Sequence, residues 1–210
     1  MAWHFVKGAF KIHLLISPFI AADRVFGKRK SVAEDYSTKE ETMRELIQRR
    51  MVENERYAMV YNVQMGDYNN YNLLLDTSTL TPDQMCKIII DESKAFLIDE
   101  NRRYVSVSTI NIYPTKPISA LDTDKIDRCI DKIKNGSSLK IKLLPINDSF
   151  YIFEGHEEVI ALNRCGLRQV DADIVEKNTV SNAIFSTREI VAEWEKFNGF
   201  EFGFYPDAIK

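Results

Sequence analysis

Hydrophobic and polar positions along this chain follow two rhythms, the two-residue beat of strands and the 3.6-residue beat of helices, and the two take turns. FKIHLLI, residues 10–16, predicts a strand, and Ser17-Pro18 then supplies a capping hydroxyl and a first-turn proline for a short helix through Phe26. Ser37-Thr38-Lys39-Glu40 reads as a capping box for a long helix to about Tyr61, with Met43, Leu46, Ile47, Met51, Ala58 and Tyr61 on its apolar side. NLLLDT predicts a short buried strand, and Thr81-Pro82-Asp83-Gln84 a second capping box before a helix to about Phe96. Farther on, a strand is expected over residues 104–112. A helix from Asp122 to Asn135 sets Ile126, Cys129, Ile130 and Ile133 on one face and ends at Gly136. Leu139 to Ile146 and Phe150 to Phe153 read as a hairpin turning at Asn147-Asp148-Ser149, and a last strand lies within GLRQVDADIV. Ser186-Thr187-Arg188-Glu189 caps a further helix through Phe197, ahead of an aromatic-rich end.

Strands alternating with helices predict an α/β fold, with α+β character in the second half. The charged stretch DESKAFLIDENRR separates two patterned regions, so boundaries are expected near 98 and 178, giving segments 1–98, 99–178 and 179–210.

Composition narrows the function classes. Of 210 residues 45% are hydrophobic and 28% charged, the profile of a globular protein. No apolar run reaches the roughly 18 residues a membrane span needs. Cys86, Cys129 and Cys165, odd in number and widely spaced, form no disulfide framework or CxxC pattern and fit a cytoplasmic protein. The net charge of -3 gives no overall attraction to nucleic acid, which disfavours duplex DNA as a partner. His4, His13 and His156 fall on separate elements without HExxH spacing, and no GxSxG elbow is present.

The stretch with the most chemistry is YIFEGHEEVIALNRCG, residues 151–166, where a strand passes through Glu154-Gly155-His156 into a helix from Glu157 to Cys165, closed by Gly166. The start of such a helix offers backbone N–H groups and the positive end of its dipole to an anion. Glu154 and His156 are the candidate acid/base pair beside a bound phosphate, and Gly155, His156 and Glu157 its candidate binders. The same residues also fit a buried turn whose glycine serves backbone geometry alone. The aromatic end, Phe197 to Tyr205, is a candidate core cover or oligomer contact.

STINIYPTKPI, the helix ending DKIKNG, the hairpin LKIKLLPINDSFYIFEGH and the helix leading to QVDADIV together resemble the N-terminal domain of the ParB and sulfiredoxin superfamily. That resemblance implies a nucleotide phosphate held at the glycine turn, with Thr115 and Lys116 beside it. The chain departs from the superfamily at two points. Gly155-His156-Glu157-Glu158 replaces the arginines of a ParB-type Gly-Glu-Arg-Arg box with carboxylates, which implies Mg²⁺ between them and a triphosphate. Gly155 occupies the position where a sulfiredoxin has its cysteine. Among serine kinases of the superfamily the acidic-Gly-His turn is matched, while Lys116 replaces an early glutamate.

KIHLLISPFIAADRVFG, RELIQRRMVENERY and YNLLLDTSTLTPDQM resemble the C-terminal part of the cytidylate-kinase-like family, whose lid arginines clamp phosphates. Arg24, Arg49, Arg50 and Arg56 are the matching cations. No GxxxxGK[ST] occurs in the 210 residues, so this half is expected to be either a relic or a piece of a longer protein.

The reading is a protein that binds ATP, ADP, CTP or another small phosphorylated molecule, with Mg²⁺, and that carries phosphotransfer as its candidate chemistry. Two alternatives stay open: a non-catalytic interaction scaffold, and a ParB-type DNA-binding protein or nuclease.

Overall fold

A computed structural model describes residues 2–27, 36–146 and 149–175. Its elements are α1 (Ala2–Phe5), β1 (Ile12–Leu15), α2 (Pro18–Val25), α3 (Lys39–Tyr61), β2 (Leu73–Asp76), α4 (Pro82–Ile98) and β3 (Tyr104–Ser108). They continue with β4 (Ile112–Tyr113), α5 (Thr123–Lys134), β5 (Lys140–Ile146), β6 (Ser149–Glu154), α6 (His156–Arg164) and β7 (Gln169–Ile174). The expected helix and aromatic end after residue 176, and most of the charged loop and hairpin turn, lie outside the described residues.

The seven strands form one mixed sheet in the order β1-β2-β3-β7-β5-β6-β4, and the fold class is α/β. β1, β2 and β3 run parallel, joined by helical crossovers. β7 is antiparallel to β3 and β5 parallel to β7; β6 then returns antiparallel to β5, with β4 parallel to it at the far edge. The sheet crosses the boundary expected at 98, because Leu73, Leu74 and Leu75 of β2 pair with Tyr104, Val105 and Ser106 of β3. All four residues of β2 are buried, as an inner strand with parallel neighbours on both sides requires.

Three further differences between sequence and structure bear on the strands and on α3. The single strand expected over 104–112 is two strands in different parts of the sheet. Thr109–Asn111 forms a 3-10 turn between β3 and β4, fixed by polar bonds that periodicity does not reveal. The Thr109 N–H donates to the Arg168 carbonyl at 3.0 Å, and the Thr109 hydroxyl to Asn163 Oδ1 at 2.9 Å. The N-cap of α3 is Thr38, one residue later than expected, and the reciprocal box is replaced by a related pair: the Thr38 hydroxyl accepts from the Glu41 N–H at 3.1 Å, and the Glu41 carboxylate accepts from the N–H of Ser37, the residue before the cap, at 2.7 Å. Finally, the apolar side of α3 enters the core only near its start. Met43 is buried, while Met51 and Tyr61 are exposed.

The main core lies over the second half of the sheet. Ile141 and Leu143 of β5, Ile152 of β6, and Val159 and Ile160 of α6 are fully buried there. α5 buries Ile126 and Cys129, with Ile130 and Ile133 partly covered against the same cluster, which is the face its spacing predicted.

Candidate functional site

The turn at Glu154-Gly155-His156 is as tight as the sequence implies. Gly155 caps α6 at φ 106°, a left-handed conformation, and a Cβ placed on it would lie 2.5 Å from Ile141 Cγ2. His156, 1% exposed, is the first residue of α6. Its Nε2 accepts the Thr115 backbone N–H at 3.1 Å, which places the ring proton of the neutral form on Nδ1. The Thr115 hydroxyl lies 3.1 Å from the same nitrogen and donates to the Ile152 carbonyl at 2.7 Å. The imidazole therefore fastens the segment between β4 and α5 onto the start of α6.

The carboxylates around the turn have partners. Lys125 of α5 reaches Glu157 at 3.1 Å and Glu158 at 3.0 Å, and Lys142 reaches Glu154 at 2.8 Å across the hairpin. Burial works against ionising Glu157, but its own backbone N–H, Lys125 and the Asp122 backbone N–H outweigh that and hold its carboxyl below the usual range. An intrinsic carboxylate thus already stands at the positive end of the helix. Glu154 is exposed and His156 enclosed, so the expected acid and base lie in different surroundings.

The enclosed imidazole has a measurable consequence. Burial first, then Lys116, pushes His156 from 6.5 down to about 4. The unfolded chain takes up this proton first as the pH falls. The stability that the neutral ring contributes is complete above pH 6.5 and drains away toward pH 4, by about 3 kcal/mol over that window. Urea unfolding at pH 7 and pH 4.5 is expected to show this loss in the wild type and a smaller one in His156→Gln; equal losses would contradict it.

A second place is a cleft of about 320 Å³ along β1, the outermost strand of the sheet among the described residues, lined by α3. Helical spacing puts Arg49, Arg50, Glu53 and Tyr57 on the side of α3 that faces it, with Asn54 between them, and Leu14 and Leu46 add an apolar wall. Its size falls at the lower end of small-molecule sites. Arg49 Nε is 3.3 Å from Glu53 Oε1, one helical turn away. Of the expected phosphate clamps, Arg49 and Arg50 line this cleft. The Arg56 guanidinium lies 5.3 Å from the Tyr57 ring centre, and Arg24 donates to the Thr77 carbonyl at 2.7 Å. The sequence reading missed Glu53, Asn54 and Tyr57, although their offsets from Arg49 and Arg50 on one helix carry the signal.

The arginine cleft is built on β1 and α3 and the glycine turn on β6 and α6, five positions apart in the strand order. The sequence-derived residues thus fall into two groups, Arg49 and Arg50 at the cleft and Thr115, Lys116 and Gly155 to Glu157 around the turn.

No protein-family model matches the chain, and no curated protein matches it. Among solved structures, part of the chain is similar to a free serine kinase in complex with AMP, at 17% identity over 35% of this chain and 31% of that one, with a TM-score of 0.31. It is also similar to sulfiredoxin from Arabidopsis thaliana, at 22% identity over 36% of this chain and 90% of that one, TM-score 0.31. A third likeness is to protein Atu1540 from Agrobacterium tumefaciens, at 16% identity over half of each chain, TM-score 0.31. The chain spans about a third of the length of the serine kinase.

A third polar cluster closes on itself at the carboxyl ends of β1, β2 and β3, around the buried Asp76 carboxylate. Such strand ends are where α/β sheets commonly hold ligands. Here the space is occupied by hydrogen bonds among Ser17, Asp76, Ser78, Ser108 and Asn111. Among the described residues no group of three or more His, Cys, Asp or Glu is arranged to hold a metal ion. No helix among them is long and apolar enough to cross a membrane.

Proposed function

We propose that this protein binds a small phosphate-bearing molecule, a nucleotide in the first instance, in the cleft between β1 and α3. The observation that carries the reading is the meeting of two arginines, an amide and a tyrosine ring in one concave space at a sheet edge. Guanidinium groups suit phosphate oxygens, and a tyrosine ring with aliphatic neighbours suits a planar base. Assignment of the first half as cytidylate-kinase-like and of the second as ParB-like belongs to the same proposal, as does a cytoplasmic location. The Thr115, Lys116 and Gly155 to Glu157 turn is the secondary candidate. Phosphotransfer there would require His156 to leave Thr115 and a ligand phosphate to replace the Glu157 carboxylate.

Isothermal titration with AMP, ADP, ATP and CTP, with and without Mg²⁺, tests the reading. Binding is expected to weaken about tenfold in Arg49→Ala and in Arg50→Ala, the loss typical of one charge-assisted hydrogen bond. His156→Gln is expected to leave it unchanged. Silence with every nucleotide, or binding that ignores both arginines, would overturn the cleft as the site.

A non-catalytic interaction module is the second reading, favoured by the apolar residues Met59, Leu97 and Ile98, which are 86%, 82% and 91% exposed.

A further inference from the structure

Glu53 stands out in the cleft because it is the wrong sign for a phosphate site. It lines the same space as Arg49 and Arg50, and its carboxylate is already engaged with the Arg49 guanidinium at 3.3 Å. A helix designed only to hold an anion has no use for a carboxylate one turn beyond its leading arginine. Glu55 and Glu45 on the same helix do not line the cleft, so Glu53 is set apart by position as well as by charge.

Resting on the phosphate reading of the cleft, we propose that Glu53 is a built-in competitor for Arg49 that sets ligand affinity and discriminates by ligand charge. An entering phosphate must share the Arg49 guanidinium with Glu53, which is engaged through Nε, and the ligand's charge then faces that carboxylate. Glu53 adds one negative charge to the cleft beside the two arginines, and its repulsion is felt in proportion to the charge on the ligand. The carboxylate therefore weakens a diphosphate more than a monophosphate and keeps multiply charged ligands exchangeable. Both charged side chains are partly solvated, so the effect is moderate and fades as salt rises.

The experiment is titration of the wild-type chain, Glu53→Gln and Glu55→Gln with AMP and ADP at low and at physiological ionic strength. Glu53→Gln is expected to tighten AMP about fivefold and ADP by a larger factor, with both gains shrinking in salt, while Glu55→Gln changes neither appreciably. If the wild type binds and Glu53→Gln gives no tightening, or tightens AMP and ADP alike, the competitor role is overturned and the cleft reading stands. Equal gains in Glu55→Gln would reduce the effect to net charge and overturn it as well. Absence of binding by all three proteins removes the phosphate reading, and this inference with it.

Discussion

Gly155→Ala is expected to destabilise the fold by about 2–5 kcal/mol, enough to bring an ordinary small protein toward its unfolding threshold. Two separate effects combine. At φ 106° any side chain is strained, an effect on the order of 1–2 kcal/mol. The new methyl would also stand 2.5 Å from Ile141 Cγ2 and 2.8 Å from Ile141 Cβ, inside the hairpin that begins the main core. Such overpacking typically costs a further 1–3 kcal/mol. Gly166 separates the two effects. It closes α6 at φ 74°, and a Cβ there meets nothing within 4 Å, so Gly166→Ala is expected to cost only the conformational part, about 1–2 kcal/mol. Urea unfolding of both variants, with Ile141→Ala as a second background for Gly155→Ala, makes the comparison. A Gly155→Ala cost no larger than that of Gly166→Ala would sink the packing argument. Gly155 as a candidate phosphate binder has to be judged beside that contact, because the side of Gly155 that lacks a Cβ is turned toward Ile141.

Residues whose role is local were legible in the sequence. Thr81 and Gln84 form the capping box that their spacing announces, and Ile126 and Cys129 enter the core from the expected face of α5. Gly155 and His156 mark a strand-turn-helix passage within one residue of where the pattern places it. What the sequence did not reveal is nonlocal. The break at Thr109–Asn111 depends on Asn163, Arg168 and Asp76, which are 33 or more residues away along the chain, and no hydrophobic period records such partners. Pairing of Lys125 with Glu157 and Glu158 has the same character: α5 alone offers only a mixed run of charges, and the contact exists because α5 and α6 pack side by side. The arginines of α3 fall between these cases. Their cation character was plain, but only the sheet edge at β1 decides that Arg49 and Arg50 meet a cavity while Arg56 lies against Tyr57.

Asp76 carries the other large effect. A single aspartate closes the apolar run Leu73-Leu74-Leu75, and in the fold it is 2% exposed at the point where β1, β2, β3 and β7 come together. Its Oδ1 accepts the Ser78 N–H at 2.9 Å and the Ser78 hydroxyl at 2.6 Å; its Oδ2 accepts the Ser108 N–H at 3.2 Å and Asn111 Nδ2 at 2.6 Å. Ser78 Oγ in turn accepts the Ser17 N–H at 2.8 Å, and Gln169 Nε2 donates to the Asp76 carbonyl at 3.1 Å. Asp76→Ala strands several buried donors at once, each worth about 1–3 kcal/mol when unsatisfied, so a loss of about 4 kcal/mol or more is expected. Asp76→Asn keeps the shape and one acceptor oxygen but turns an NH₂ group toward donors, and an intermediate loss is expected. Asn111→Ala removes the Nδ2 group that donates to both Asp76 Oδ2 and Ser78 Oγ and leaves the carboxylate three other donors, for a loss of about 1–2 kcal/mol. Chemical denaturation of the three variants should rank them in that order. If Asp76→Ala unfolded at nearly the wild-type denaturant concentration, the carboxylate would not be the joint between the parallel strands and the rest of the sheet, and the reason for the turn at Thr109–Asn111 would have to be sought elsewhere.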